Sequence, residues 1–194
     1  KKRMNGSLLP NIILEIKGIL MRMTNDLQFY KLFTGVKDPK RATEGSACFD
    51  LYSFLPDNSA VSVYITHSEE LEIRNRLVQN ERVQVNPNER VLIPTGIIFD
   101  IPNGYSMRLY PRSGLALKQG LTLANNVGII DSDYVEPVFA MITNISGTTQ
   151  YVKHNERICQ GELFKDIICI LEEIDEKPDR KTDRDGGFGS TGRE

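Results

Sequence analysis

From Leu27 onward, apolar residues come in short runs, many alternating with polar ones, and Pro, Gly, Asn or Asp interrupts them at close intervals. Alternation at period two gives a strand one face for a core, so this punctuation predicts an all-β protein. The candidate strands cover 27–33, 48–53, 61–66, 91–93, 96–101, 105–110, 121–124, 138–144, 151–153, 157–164 and 167–173. Pro87, Pro94, Pro102 and Pro111 fall at their margins, where a missing N–H harms a sheet least. Two stretches depart from the pattern. Over 69–80, Leu71, Ile73, Leu77 and Val78 stand amid charges, which predicts a short surface helix. Ile12, Ile13, Ile16, Ile19, Leu20 and Met23 recur at helical spacing and predict an amphipathic helix whose apolar stripe packs on the domain or on a neighbouring subunit.

Lys1-Lys2-Arg3 followed by Leu8, Leu9 and Ile12 imitates the start of a signal peptide. Pro10, Asn11, Glu15 and Lys17 break the apolar run, no small-residue cleavage site follows, and the run is too short to span a membrane. Met23-Thr24-Asn25 would serve as a start just before the first strand, so within an N-terminal extension of residues 1–26 the stretch up to about residue 22 reads as dispensable for the chemistry. Residues 27–178 read as one β domain with an insert at about 59–82, and 179–194 as a flexible Gly-rich arm. The chain has 194 residues, 40% of them hydrophobic, enough for a single sizeable core. With 24 Lys and Arg against 26 Asp and Glu, no broad basic field points to nucleic acid or an anionic membrane, and any phosphate contact should be local. Cys48, Cys159 and Cys169 form no C-x-x-C pair and are odd in number, which fits reduced thiols in the cytoplasm. With only His67 and His154, a zinc site is not expected, and any metal should be oxygen-ligated.

Three segments carry candidate chemistry. Gly186-Gly187-Phe188-Gly189-Ser190-Thr191-Gly192 combines glycines that let backbone N–H groups approach a ligand, two hydroxyls and one flat aromatic, which suits a phosphorylated ligand that contains a ring. Pro111-Arg112-Ser113-Gly114-Leu115-Ala116 joins a strand to a short helical segment at 115–118. Its backbone donors, a guanidinium and a hydroxyl suit an anion, though Ser113 would serve equally well as a helix N-cap. In Asn125-Asn126-Val127-Gly128-Ile129-Ile130-Asp131-Ser132-Asp133-Tyr134 an apolar pair runs into an acidic turn. Asp131 directly follows that pair and could be held against a water, whereas Asp133 could be an ordinary turn former.

Together with Ala47-Cys48-Phe49-Asp50-Leu51-Tyr52-Ser53 and Arg157-Ile158-Cys159-Gln160, these segments form five motifs in the order found in trimeric dUTPases, and the chain resembles that family over residues 46 to 192. The resemblance implies a jelly-roll-like β-clip barrel assembled as a homotrimer, which hydrolyses dUTP to dUMP and pyrophosphate with Mg2+ on the triphosphate. It implies that Asp131 activates the attacking water, and that Arg112, Ser113, Gly114 and Gln160 hold the phosphates. Asn125, Gly128, Ile129, Ile130 and Phe139 would surround the uracil, and Tyr134 would pack under the deoxyribose. In the arm, Phe188 would stack on the base, with Gly189, Ser190, Thr191 and Arg184 near the phosphates. Asp50 would order metal-bound water or a basic side chain without touching the metal. Arg184 lies one residue nearer the glycines than the family pattern, Cys48 stands in place of a glycine, and Cys159 stands in place of an alanine. The insert reads first as a solvated surface excursion; the alternative comes from its resemblance to an extra segment of some phage-type enzymes, where it can contact partner proteins or a neighbouring subunit. A dCTP deaminase of the same superfamily and a nucleotide-sensing regulatory protein are the rival functions.

Overall fold

The described residues of the computed structural model, 26–67 and 70–183, carry β1 (Gln28–Lys31), β2 (Phe49–Tyr52), β3 (Ala60–His67), β4 (Glu70–Leu77), β5 (Arg82–Val85), β6 (Arg90–Pro94) and β7 (Ile97–Asp100). After these come β8 (Tyr105–Pro111), helix α1 (Ser113–Gln119), β9 (Leu121–Leu123), β10 (Gly128–Ile130), β11 (Phe139–Asn144), β12 (Gln150–Lys153) and β13 (Arg157–Lys165). One sheet has the strand order β10-β8-β13-β2 and another β4-β3-β6-β11-β9, while β1 pairs with β7 and β12 with β5. Every pairing is antiparallel. Alternate residues of the two larger sheets, such as Leu51, Met107, Leu109 and Ile158 on one and Val63, Val91, Ile93 and Ile142 on the other, are buried in a single apolar cluster. The result is the expected all-β, jelly-roll-like architecture.

Three expectations need correcting. The 69–80 segment is a strand: Glu70–Leu77 pairs with all of β3, from His67 opposite Glu70 to Ala60 opposite Leu77. Cross-strand contact with the β-branched residues of β3 overrides the helical reading of scattered leucines. The 167–173 segment, conversely, is not a strand. Pairing ends at Lys165, where Asp166 donates its N–H to Gly104 O (2.9 Å) and accepts from Ser106 Oγ (2.8 Å). The short helix starts two residues earlier than 115–118, with Arg112 at its N-cap and no side-chain capping bond, so Ser113 is not the cap. Strands β5 and β10 were not foreseen, being short and lodged among turn residues. The amphipathic segment before residue 26 lies outside the described residues.

A partly buried ion pair ties the β3–β4 hairpin to the rest of the domain. Arg76 Nη1 and Nη2 donate to the two carboxylate oxygens of Glu89 at 2.5 and 2.9 Å, and Nη1 also reaches Gln84 O at 2.7 Å. Burial alone would raise the Glu89 pKa, but the Arg76 guanidinium and the Asn86 backbone and side-chain N–H groups outweigh it and bring it from 4.5 down to about 2. Because the folded value is depressed, this contribution to stability is complete above about pH 4.5 and is lost as pH falls toward 2. Glu89→Gln should therefore flatten the acid limb of a denaturant-midpoint-versus-pH curve between those values, at the expense of a lower midpoint at pH 7. An unaltered acid limb would contradict this linkage.

Gly161 lets β13 close over β2. A Cβ there would lie 2.6 Å from both Cε2 and Cζ of Phe49, whose ring in turn packs against Phe99 at 6.0 Å between centroids. Gly161→Ala should lower stability by about 1–3 kcal/mol in chemical denaturation, the usual range for overpacking a core.

Candidate active site

Two clusters gather the residues singled out in the sequence. The first is a cavity of about 350 Å³ beside β10 and β11, lined by Asn125, Gly128, Ile129, Ile130, Asp131, Tyr134 and Phe139 together with Leu92, Leu109, Val138 and Met141. The apolar walls and few polar groups are those of a pocket for a small ring. Gly128 permits its depth, since a Cβ there would meet Leu109 Cβ at 3.2 Å and Asn125 Nδ2 at 3.4 Å. Asp131 is exposed directly after buried Ile130, and its carbonyl accepts from Tyr134 N–H at 3.1 Å, closing a turn at the pocket rim. Tyr134 Oη donates to Pro137 O at 3.1 Å, which fixes the ring across the Val135-Glu136-Pro137 segment.

The second cluster forms where β2, β13 and the end of β8 meet. Asp50, almost buried, accepts from Arg112 Nε at 2.9 Å on one oxygen and from Arg157 Nη1 at 3.1 Å on the other. Arg112 Nη1 also reaches Arg157 O at 3.3 Å, and Gln160 Nε2 donates to Pro111 O at 3.1 Å. Asp50 thus orders basic side chains, one of its two anticipated tasks. Arg157, which the sequence reading placed in a motif but gave no role, is its second partner; its position opposite Tyr52 at the start of β13 brings it to Asp50. Cys159 is fully buried beside Asp50, and burial, aided by that carboxylate, pushes its thiol up to about 12, so it packs as an apolar residue. Ser113 and Gly114 open α1 exposed, where the first-turn N–H groups have no intrahelical acceptor.

One subunit does not bring the clusters together. Ile130 pairs with Met107 and Gly128 with Leu109, so β10 carries Asp131 away from the end of β8 that leads to Arg112. At about 3.3 Å per residue, the five positions from Met107 to Arg112 put roughly 16 Å of strand between them. Arg184, Phe188, Gly189, Ser190 and Thr191 lie outside the described residues.

The dUTPase family profile matches residues 76–192, more than half of the chain. The chain belongs to the dUTPase family. The deoxyuridine 5'-triphosphate nucleotidohydrolase of Dinoroseobacter shibae is 36% identical over 155 residues, spanning 80% of this chain and 87% of that protein. The protein of the same name from Finegoldia magna is 43% identical over 112 residues, spanning 57% and 76%. Among solved structures, the dUTPase from Streptococcus mutans matches with TM-score 0.55 at 27% identity, over 74% of this chain and 98% of that one. A mutant of the Staphylococcus bacteriophage 80alpha dUTPase with dUpNHpp matches with TM-score 0.66 at 22% identity, over 87% and 99%, a likeness of fold.

Proposed function

We propose that the protein hydrolyses dUTP to dUMP and pyrophosphate at sites shared between copies of the chain. The observation that carries this reading is the cavity in which Asn125, Gly128, Ile129, Ile130, Tyr134 and Phe139 enclose a ring-sized space with Asp131 at its rim. Uracil enters between Ile129 and Phe139, read by backbone groups of the 125–130 segment and by the Asn125 amide. Cytosine presents the opposite donor and acceptor edge and would leave those groups unpaired, a mismatch that such sites reject by up to about 10⁴–10⁵. Tyr134 packs under the deoxyribose and excludes a 2′-hydroxyl. The Asp131 carboxylate takes a proton from the water that attacks the α-phosphorus, and the bond to the oxygen bridging the α- and β-phosphates breaks to release pyrophosphate.

The triphosphate is held by Arg112, Ser113, Gly114 and the second N–H of Gln160, with Arg112 locked in orientation by Asp50. A Cβ at Gly114 would meet no atom within 4 Å, so the fold does not require glycine there and close approach of a phosphate supplies the reason. Gly114→Ala should leave the unfolding midpoint unchanged while lowering kcat/KM by about tenfold or more, since small misplacements of reacting groups are amplified in rate; a shifted midpoint with normal kinetics would contradict it. Among the described residues no group of three His, Cys, Asp or Glu side chains could hold a metal, and both Asp50 oxygens are engaged by guanidiniums. Mg2+ therefore fits as an ion carried on the triphosphate oxygens, where it neutralises charge when bound.

The exposed apolar run at 167–171 supports a homotrimer. Ile167, Ile168, Ile170 and Leu171 are 88–94% exposed in the subunit, an arrangement that water disfavours and a neighbouring copy relieves. The three cysteines form no disulfide, in keeping with a reducing cytoplasm, and no helix among the described residues is long and apolar enough to cross a membrane. Incubation with dUTP or dCTP and Mg2+, with pyrophosphate and ammonia both measured, tests the reading. Pyrophosphate from dUTP supports it; ammonia from dCTP supports a deaminase; tight dUTP binding without turnover supports a sensor.

A further inference from the structure

β4 is the outermost strand of the five-stranded sheet, and no strand among the described residues pairs with its outer edge. Its sequence, Glu70-Leu71-Glu72-Ile73-Arg74-Asn75-Arg76, carries two acids before Ile73 and two bases after it, all at alternate positions. Alternate residues of a strand share a face, so the four charges project to one side while Leu71, Ile73 and Asn75 project to the other. Leu71 and Ile73 are each 58% exposed. Charged residues on an edge strand commonly deter pairing with another sheet. Here their order does the opposite for one partner.

We infer that the outer edge of β4 pairs antiparallel with β4 of a second copy of this chain, about a twofold axis through Ile73, joining two five-stranded sheets into one. In that register Glu70 faces Arg76 and Glu72 faces Arg74, each twice by symmetry, and Ile73 faces itself. Sliding the register by two residues keeps two opposite-charge pairs but sets Glu72 against Glu72 or Arg74 against Arg74, and sliding it by one puts charges opposite uncharged residues, so the register about Ile73 has the most opposite pairs and no like pair. Arg76 is already paired with Glu89, so the central Glu72–Arg74 pairs carry the register, and the Arg74–Glu72 pair on the same strand becomes part of a four-charge cluster across the axis. Tyr64 lies opposite Ile73 in the hairpin and brings an aromatic side chain to the apolar face of the junction. An edge pair of this length buries less than a standard interface of about 1,600 Å², so association should be reversible and evident at micromolar concentrations.

The inference does not depend on the nucleotide reading or on the number of copies in the basal assembly. Sedimentation velocity of the full chain from roughly 1 to 200 µM should show the wild-type weight-average mass rising above that of the basal unit, to at least twice it at the highest concentrations. Glu72→Arg and Arg74→Glu each set like charges across the axis and should weaken association by at least about tenfold, each holding the basal mass. In an equimolar mixture of the two variants the changed positions face each other across the axis and opposite charges are restored. The mixture should recover the concentration-dependent rise in mass, which damage to the hairpin would not allow. A wild-type mass constant over the range, variants that associate as the wild type does, or a mixture that stays at the basal mass would each overturn the inference. The basal mass read from the variants separately reports whether that unit is a trimer.

Discussion

Asp131→Asn is expected to lower kcat for dUTP by about 10²–10⁴ while leaving substrate affinity within a few-fold of wild type. Asparagine keeps the size of the side chain, and the turn closed by the Tyr134 N–H on the residue 131 carbonyl is a backbone feature that the change does not touch. What it loses is an oxygen able to take a proton from water. Asp131 is exposed at the rim rather than buried in the pocket, so no desolvated partner is stranded by the substitution and the fold should be unaffected. Single-turnover rates with dUTP, beside equilibrium binding of a non-hydrolysable analogue, provide the two numbers. A near-normal kcat would remove Asp131 from the role of base.

Arg112→Ala should be as severe, for a different reason, and the two variants together test where the site lies. Alanine removes the phosphate-binding fork and leaves Asp50 facing Arg157 alone. Because β10 and the end of β8 diverge within one chain, the proposed function takes Asp131 from one copy and Arg112 from another. Each variant alone should be nearly inactive. Co-refolded in equal amounts, random assembly places an intact Asp131 beside an intact Arg112 at one site in four, so about a quarter of wild-type activity should return. Absence of recovery, with mixed oligomers verified by mass, would place both residues in the same subunit's site.

The sequence carried the barrel legibly wherever alternation was clean, as at 138–144, 105–110 and 157–164, because burial on one face writes itself as period two. It misled over 69–80, where the apolar face of β4 is exposed and its other face is charged: neither side looked like the wall of a core, and only pairing with β3 settles the conformation. The apolar 167–173 segment reads as a strand by composition, but no strand among the described residues pairs with it, and composition does not reveal whether a partner strand is at hand. The ring pocket was legible residue by residue, since Asn125 to Tyr134 is local in sequence and Phe139 follows closely. Arg157 was overlooked as a site residue because its link to Asp50 spans |i−j| = 107 and depends on β13 lying beside β2.

The position of the apolar run at 167–171 along the chain also sets a schedule. A ribosome delivers β13 before it delivers Ile167, so every strand of the two large sheets has emerged by the time the adhesive segment does. On the trimer reading, the run that a neighbouring copy would cover thus follows every strand in the order of synthesis. Completion of the two sheets would then precede that contact by the order of synthesis alone.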